Sequence, residues 1–380
     1  MLDAVVAGAG PVGSWVAAGL AQAGYEVLLV EEHSRPGFPA RCTGLVGEQA
    51  FQEFDLPGEV TQRRISSCTV HGPAGSRLRW QAQHPVARVV DRPRLDALLA
   101  ERAREAGARL LLGHRVKDAA VGPRAVEIEL EALPRRLAAR VLVLATGARS
   151  NLPEKLGLGR LPGYVFGAQV EAEVEGLEEV EVYLGRDLVP GSFAWAVPGQ
   201  EKRARLGLVA YSFPREHLQR FLDDPRLRPR LKGAPAAEAT VAPIPLGALA
   251  RTVGHRVLAV GEAAGQVKTT TGGGVYYGLV GARTAVEVLV RALREDRLDE
   301  QSLAEYEIRW RRVLGRELEY GLRLRKLARN LDDRTLARFL HLAQQDGVRL
   351  ILRSLGRFDW HASLIAALLN GPLARAERRR

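Results

Sequence analysis

The chain of 380 residues holds two cysteines, Cys42 and Cys68, and six lysines. It has no apolar run approaching the roughly 18 residues that would cross a membrane. Two cysteines cannot form a disulfide framework and fall short of the four ligands of a structural zinc site, so no metal and a reducing compartment are expected. Residues 4–9 are apolar but have no basic segment before them and run straight into a glycine motif, which speaks against a secretory leader. A cytoplasmic protein is the expectation, with peripheral contact at a membrane left open. Lysine is so scarce that arginine carries most of the positive charge: 55 Lys+Arg against 44 Asp+Glu gives a formal +11. The arginines are spread along the chain, which favours compositional bias over a nucleic-acid or anionic-membrane footprint. Arg375, Arg378, Arg379 and Arg380 form the one cluster, read as a solvated tail. No nucleic-acid partner is expected.

What remains is ordinary for a globular protein, with 46% hydrophobic and 26% charged residues, and the length suits two or three structural domains. Ala4-Val-Val-Ala7 reads as a buried parallel strand, Gly8-Ala-Gly10-Pro-Val-Gly13 as a tight turn, and residues 14–23 as a helix ended by Gly24. Residues 26–30 make a second strand closed by Glu31, eighteen residues after Gly13. Glycine-rich turns are common, but this one lies between a strand and a helix and is followed by an acid at the right distance. That context marks a dinucleotide site. Gly8 permits the turn, Gly10 lets a pyrophosphate approach the backbone, Gly13 allows close packing, and Glu31 can hold a ribose diol. An acid there favours an unphosphorylated ribose, hence FAD or NAD over NADP.

Residues 35–44 have loop composition and include Arg41 and Cys42 as candidates to face a cofactor. Residues 65–90 alternate like antiparallel strands inserted into the dinucleotide fold. Asp91-Arg92-Pro93 opens an amphipathic helix, and Arg92 could reach a cofactor phosphate. Residues 109–112 resume the parallel sheet, residues 116–130 suggest a hairpin, and residues 140–147 form another buried strand ending at Gly147. Between residues 165 and 243 the two-fold alternation returns, as in a second, largely antiparallel sheet broken by a helix near residues 215–222. From Leu298 onward the pattern is helical throughout, including residues 350–355 and 362–369, as a packing layer, a lid or a docking face.

Residues 261–278 organise the rest. An apolar strand, the acid Glu262, a loop with Gly272-Gly-Gly274 and then a helical pattern follow one another. A helix whose first turn is three glycines leaves its N–H groups open to a flat or anionic ligand. Lys268, between the two glycine clusters, is either catalytic or exposed.

Four separated signatures agree: Gly8-x-Gly10-x-x-Gly13 with Glu31, Arg41-Cys42-x-Gly44, Arg92-x-x-Leu95-Asp96, and Gly261-Glu-Ala-Ala-Gly265 with Gly272-Gly-Gly274. Together they resemble the geranylgeranyl reductase family, flavoproteins of the para-hydroxybenzoate hydroxylase fold, from Leu2 to about Tyr320. Residues 190–198 are similar to that family's PxxYxWxFP motif, with Phe193 replacing Tyr and Val197 replacing Phe, so no role of a tyrosine hydroxyl carries over. Glu262 stands where much of the wider group has Asp.

The resemblance implies an α/β fold: an FAD-binding Rossmann-like domain with a parallel sheet, an inserted antiparallel-sheet substrate domain and a helical C-terminal region. Their expected bounds are residues 1–60, 86–160 and 250–296 for the first, 61–85 and 161–249 for the second, and 297–380 for the third. It implies FAD held by Gly8, Gly10, Pro11, Val12, Gly13, Glu31, Glu32, Arg41, Cys42, Gly44, Arg92, Val116, Gly147, Glu262, Gly273, Gly274 and Val275. Phe193 and Trp195 would line the substrate pocket. The implied reaction reduces isolated double bonds of a polyprenyl or isoprenoid lipid by hydride transfer from reduced flavin, with Cys42, Lys268 and Tyr276 as equal candidates for the proton donor. Electrons would come from a ferredoxin-like protein or NAD(P)H. Two alternatives stand beside it: a monooxygenase or halogenase of the same fold, and a non-catalytic basic flavoprotein docking on membrane or RNA. Halogenases need a lysine early in the chain, and the first here is Lys117.

Overall fold

The computed structural model describes residues 1–345, except 132, 134 and 135, and residues 356–370, without the side chains of 368–370. The expected helix at residues 350–355 and the arginine cluster at 375–380 lie outside the described residues.

Strands that are almost wholly apolar assemble into a parallel sheet, where both faces are covered, and the Asp3 and Arg140 side chains within them pair with each other. Strand Leu2–Ala7 is central, flanked by Val27–Val30 and Leu137–Leu144, with Arg109–Leu111 and Val257–Ala259 outside them. All four neighbouring pairs are parallel. One face packs on helices Pro11–Gln22, Arg92–Glu105, Val275–Glu295 and Glu300–Ala328 through Val16, Leu20, Leu99, Leu289 and Trp310. The opposite face packs on hairpin Val116–Val121 with Val126–Leu130.

A second eight-stranded sheet is built around Tyr164–Val174, Arg203–Ala210, Phe193–Pro198 and Val180–Tyr183 in that spatial order. It is antiparallel except where Val180–Tyr183 runs parallel to Ser67–His71. Its outer face is covered by helix Pro214–Leu222, through Leu218 and Phe221. Residues 65–90 divide between sheets. Ser67–His71 and Arg77–Gln81 extend the large one, whereas Ala87–Val90 joins Thr61–Ile65 and Leu45–Gly47 in a separate three-stranded sheet.

Three sequence expectations are corrected. The first helix starts at Pro11, not residue 14, since proline's fixed φ and missing N–H suit a first helical position. The three glycines are not the first turn of their helix: Gly272 has φ +82° and Gly274 is the N-cap of Val275–Glu295. The C-terminal region is not helical throughout, because residues 356–361 form a non-helical segment ahead of Ala362–Asn370. That segment returns to the glycine loop.

Candidate functional site

The site lies where the carboxyl ends of the parallel strands meet the inner face of the antiparallel sheet. The first turn is as tight as its sequence suggests. A side chain on Gly13 would stand 1.9 Å from the Gly8 carbonyl oxygen, and one on Gly8, at φ +105°, would stand 2.4 Å from the Ala145 oxygen. A side chain on Gly10, by contrast, would meet nothing within 4 Å. The backbone is therefore packed behind the turn and open in front of it, at a helix N-terminus with no side-chain cap. The buried Glu31 carboxylate accepts from Ala9 N at 2.9 Å and His33 N at 3.0 Å, which fixes it at the strand end. Pro11 is buried at the helix start, while Val12 separates Gly261 from Gly278. Glu32 is exposed near Arg115, at 3.7 Å. Val116 has its side chain in the core, so only its main chain could serve a ligand.

The loop at residues 41–44 is held by Arg205 of the large sheet, whose guanidinium donates to the Thr43 oxygen at 2.7 Å and the Val90 oxygen at 3.0 Å. Thr43 Oγ1 donates to Gln169 Oε1 at 2.8 Å. Arg41 is exposed, and burial of its guanidinium together with nearby Arg149 lowers its pKa, opposed by Glu32. Arg92 donates to both oxygens of Asp96, at 3.1 and 3.0 Å. Burial disfavours its charge, but Asp96, with help from Cys42, holds the pKa above the usual arginine range. Asp96 itself is raised by burial, against the pull of Arg92.

Glu262 links the two glycine loops. Its oxygens lie 3.9 Å from where a side chain on Gly147 would begin and 3.2 Å from the same point on Gly274. The residue is exposed, yet the protein around its carboxylate raises its pKa by desolvation, with Arg92 opposing and Asp96 reinforcing. An accessible carboxylate surrounded by protein faces an internal space. Thr146 Oγ1, on the strand end beside Gly147, is buried without a partner.

The opposing wall is apolar apart from Gln169. Trp195 and Phe193 project from one strand with ring centroids 6.0 Å apart. Trp195 pairs in register with Gly207, and Gly207 with Gln169, so all three share the inner face. Ile244 reaches the glycine loop, 3.2 Å from where a side chain on Gly272 would begin. The Trp195 indole N–H is buried without a partner.

The three candidate proton donors separate. Tyr276 turns into the helical core and donates to Glu53 at 2.9 Å, and burial followed by Glu53 raises its pKa. Lys268 is buried and donates to Asp359 at 2.7 Å. Cys42 is half-buried, its sulfur 3.3 Å from Gly44 N. Sequence reasoning missed Asp359 and Thr146. Asp359 lies in an unremarkable stretch between helical patterns, and no spacing ties it to Lys268.

A family model described as lycopene cyclase protein matches residues 3–354, nearly the whole chain. The digeranylgeranylglycerophospholipid reductase 2 of Methanothermobacter thermautotrophicus is 32% identical over 354 residues, covering 88% of this chain and 89% of the relative. The chain belongs to the geranylgeranyl reductase family. Its place in this family of oxidoreductases extends to Methanocaldococcus jannaschii, whose digeranylgeranylglycerophospholipid reductase is 30% identical over 349 residues, 87% of this chain and 88% of the relative. A geranylgeranyl bacteriochlorophyll reductase-like protein of Thermoplasma acidophilum shares the fold at 20% identity, with a TM-score of 0.85 over 97% of this chain and 98% of that one. As in other family members, the chemistry is that of a flavoprotein reductase. Among the described residues, no helix is long and apolar enough to cross a membrane.

Proposed function

We propose that this chain is an FAD-dependent reductase of isolated double bonds in the polyprenyl chains of an isoprenoid lipid. The apolar inner face of Phe193, Trp195, Gly207 and Ile244, set against the glycine loop, is the observation that carries this reading. The residues present suit the cofactor: open backbone at Gly10, Glu31 for a ribose, Glu262 between Gly147 and Gly274, and an unpartnered Thr146 hydroxyl. When bound, FAD supplies the hydride.

The chain's own work is to bind, orient and exclude water. Gly8, Gly10 and Gly13 with the helix start at Pro11 would hold the pyrophosphate. Gly273, Gly274 and Val275 would lie under the ring edge, where the helix N-terminus favours the negative charge of the reduced form. Arg41 and Arg92 flank the loop carrying Cys42 and Gly44. An unactivated alkene is a poor hydride acceptor, so a dry pocket and a placed acid are needed. Lys268 and Tyr276 already donate to Asp359 and Glu53. That leaves the Cys42 thiol, beside Arg92, as the proton donor we favour. Residues 1–60, 86–160 and 250–296 would then serve the cofactor, residues 61–85 and 161–249 the substrate. A lipid substrate also gives the chain a reason to meet a membrane peripherally, and the reductant would be a ferredoxin-like protein or NAD(P)H.

The test is anaerobic. Protein reconstituted with FAD and reduced with dithionite should add two hydrogens per double bond to a geranylgeranyl glycerolipid, read by mass spectrometry. A colourless protein that takes up no FAD would sink the proposal, and so would a hydroxylated product formed in air with a phenol.

A further inference from the structure

Residues 358–361 form a clip that reaches the glycine loop from the far end of the chain. Each of its four side chains meets a different part of the site's surroundings. Phe358 packs in the small cluster that includes Trp195 and Val197. Asp359 Oδ1 accepts from Lys268 Nζ at 2.7 Å. Trp360 stands edge-on to Tyr276, with centroids 5.8 Å apart, and its N–H donates to Gln49 at 2.9 Å. His361 Nδ1 is 2.7 Å from Thr270 Oγ1, while its main chain donates to Glu317 at 2.7 Å.

The pair between clip and loop is one to one. Lys268 and Asp359 side chains are 6% and 3% exposed. The ammonium's other neighbours, the Phe358 carbonyl at 3.3 Å and the Phe358 ring at 4.3 Å, also belong to the clip. The second carboxylate oxygen, Asp359 Oδ2, is buried with no partner among the described residues and lies against Gly47. Burial and Lys268 together bring His361 down to about 4 and leave it neutral, while the buried Arg325 donates to the Thr269 and Thr270 carbonyls of the same loop and Glu317 accepts from the clip's main chain. The lysine stem lies flat behind the loop: its Nζ is 3.2 Å from where a side chain on Gly273 would begin. Lys268 N also donates to the Gly273 oxygen, and Gly272 N to the Lys268 oxygen, so the main chain from which the ammonium extends is part of the loop itself.

We propose that Asp359 is a positioning residue that neutralises Lys268 behind Gly273, so that docking of the C-terminal clip sets the reduction potential of the flavin on the other side of that loop. This rests on the cofactor reading given above. Charge near the ring tunes a flavin's electronics, and in a low-dielectric interior one uncompensated charge acts strongly at short range. An ammonium without its carboxylate would favour the anionic reduced flavin. The clip therefore holds the potential down, and its release raises it.

The experiment measures the midpoint potential of the bound flavin, anaerobically against reference dyes at pH 6, in the full-length holoprotein. Asp359→Asn should move it to more positive values, a tenfold tilt of the two-electron equilibrium reading as about 30 mV. Lys268→Met should move it the opposite way, Lys268→Arg should leave it near the wild-type value, and the double variant Lys268→Met, Asp359→Asn should return to wild type. Equal potentials in all five proteins with flavin fully bound would overturn the inference while leaving the cofactor reading intact. Single substitutions that shift the potential in the same direction would overturn it too. The double variant buries no charge and must fold and hold flavin; its failure would show that shape, not charge, is what the two residues supply. A wild-type chain that binds no flavin would overturn the cofactor reading and this inference together.

Discussion

Trp195 lies flat on Gly207: a side chain at position 207 would begin 2.5 Å from the indole ring. The glycine is there because the indole and the Ala168 carbonyl oxygen, 2.7 Å from the same point, occupy the place its side chain would take. Gly207→Ala should therefore push the indole into the space facing the glycine loop. Overpacking of this kind costs about 1–3 kcal/mol, so the variant should fold with a lowered melting temperature. Flavin uptake should persist while reduction of a long polyprenyl chain falls, which steady-state assays on short and long substrates would read. Unchanged turnover on both would remove Trp195 from the pocket wall.

Glu262 gives a pH prediction for the cofactor-free protein. Burial raises its folded pKa above the unfolded value. Between those two values the folded state binds more protons, so stability falls as pH rises through the window and stays reduced above it. Glu262→Gln should thus be more stable than wild type at neutral pH and no more stable below the unfolded carboxylate range. The same variant should bind FAD more weakly. Denaturant titrations at pH 7 and pH 3.5 would check the first part, and flavin retention on desalting the second.

His361 carries the opposite sign. It is brought down from 6.5 to about 4, chiefly by burial and then by Lys268. The unfolded histidine takes up its proton first on acidification, so stability contributed by the neutral ring is full above pH 6.5 and is lost as pH falls to about 4. Acid should release the clip, seen as a change in Trp360 fluorescence across that window. In His361→Asn the transition should flatten; an unaltered profile would place its cause elsewhere.

The two cysteines should differ in reactivity. Burial, reinforced by Glu179 and Glu181, pushes the Cys68 thiol up to about 12. Iodoacetamide at pH 8 should label Cys42 and spare Cys68, and bound FAD should slow the labelling. Cys42→Ala should keep its flavin and lose roughly 10²–10⁴-fold in turnover, the usual range for a proton donor. A smaller loss would assign protonation to another group.

The first strand, the glycine turn, Glu31 and the strand ending before Gly147 were legible because local backbone constraint writes itself into sequence. Only glycine fits where Gly13 meets the Gly8 oxygen, and buried parallel strands must be apolar. The antiparallel sheet showed through its two-residue alternation. Its strand order did not, since alternation says which face is buried but not which neighbour pairs: residues 87–90 look like residues 77–81 yet join another sheet. The sequence pointed to Glu262, but its raised pKa comes from burial by the folded chain, with Asp96 reinforcing and Arg92 opposing, both far away in sequence. Lys268 was visible and its meaning was not, because its partner Asp359 lies 91 residues on with no periodic link.

The clip also sets an order of assembly. Asp359 leaves the ribosome well after Gly8, on the order of half a minute later at typical synthesis rates. For that interval the dinucleotide turn exists and helix Glu300–Ala328 can already hold Thr269 and Thr270, but Lys268 lacks the carboxylate it meets in the finished fold. The last link of the loop's surroundings is thus made 91 residues after the lysine it pairs with.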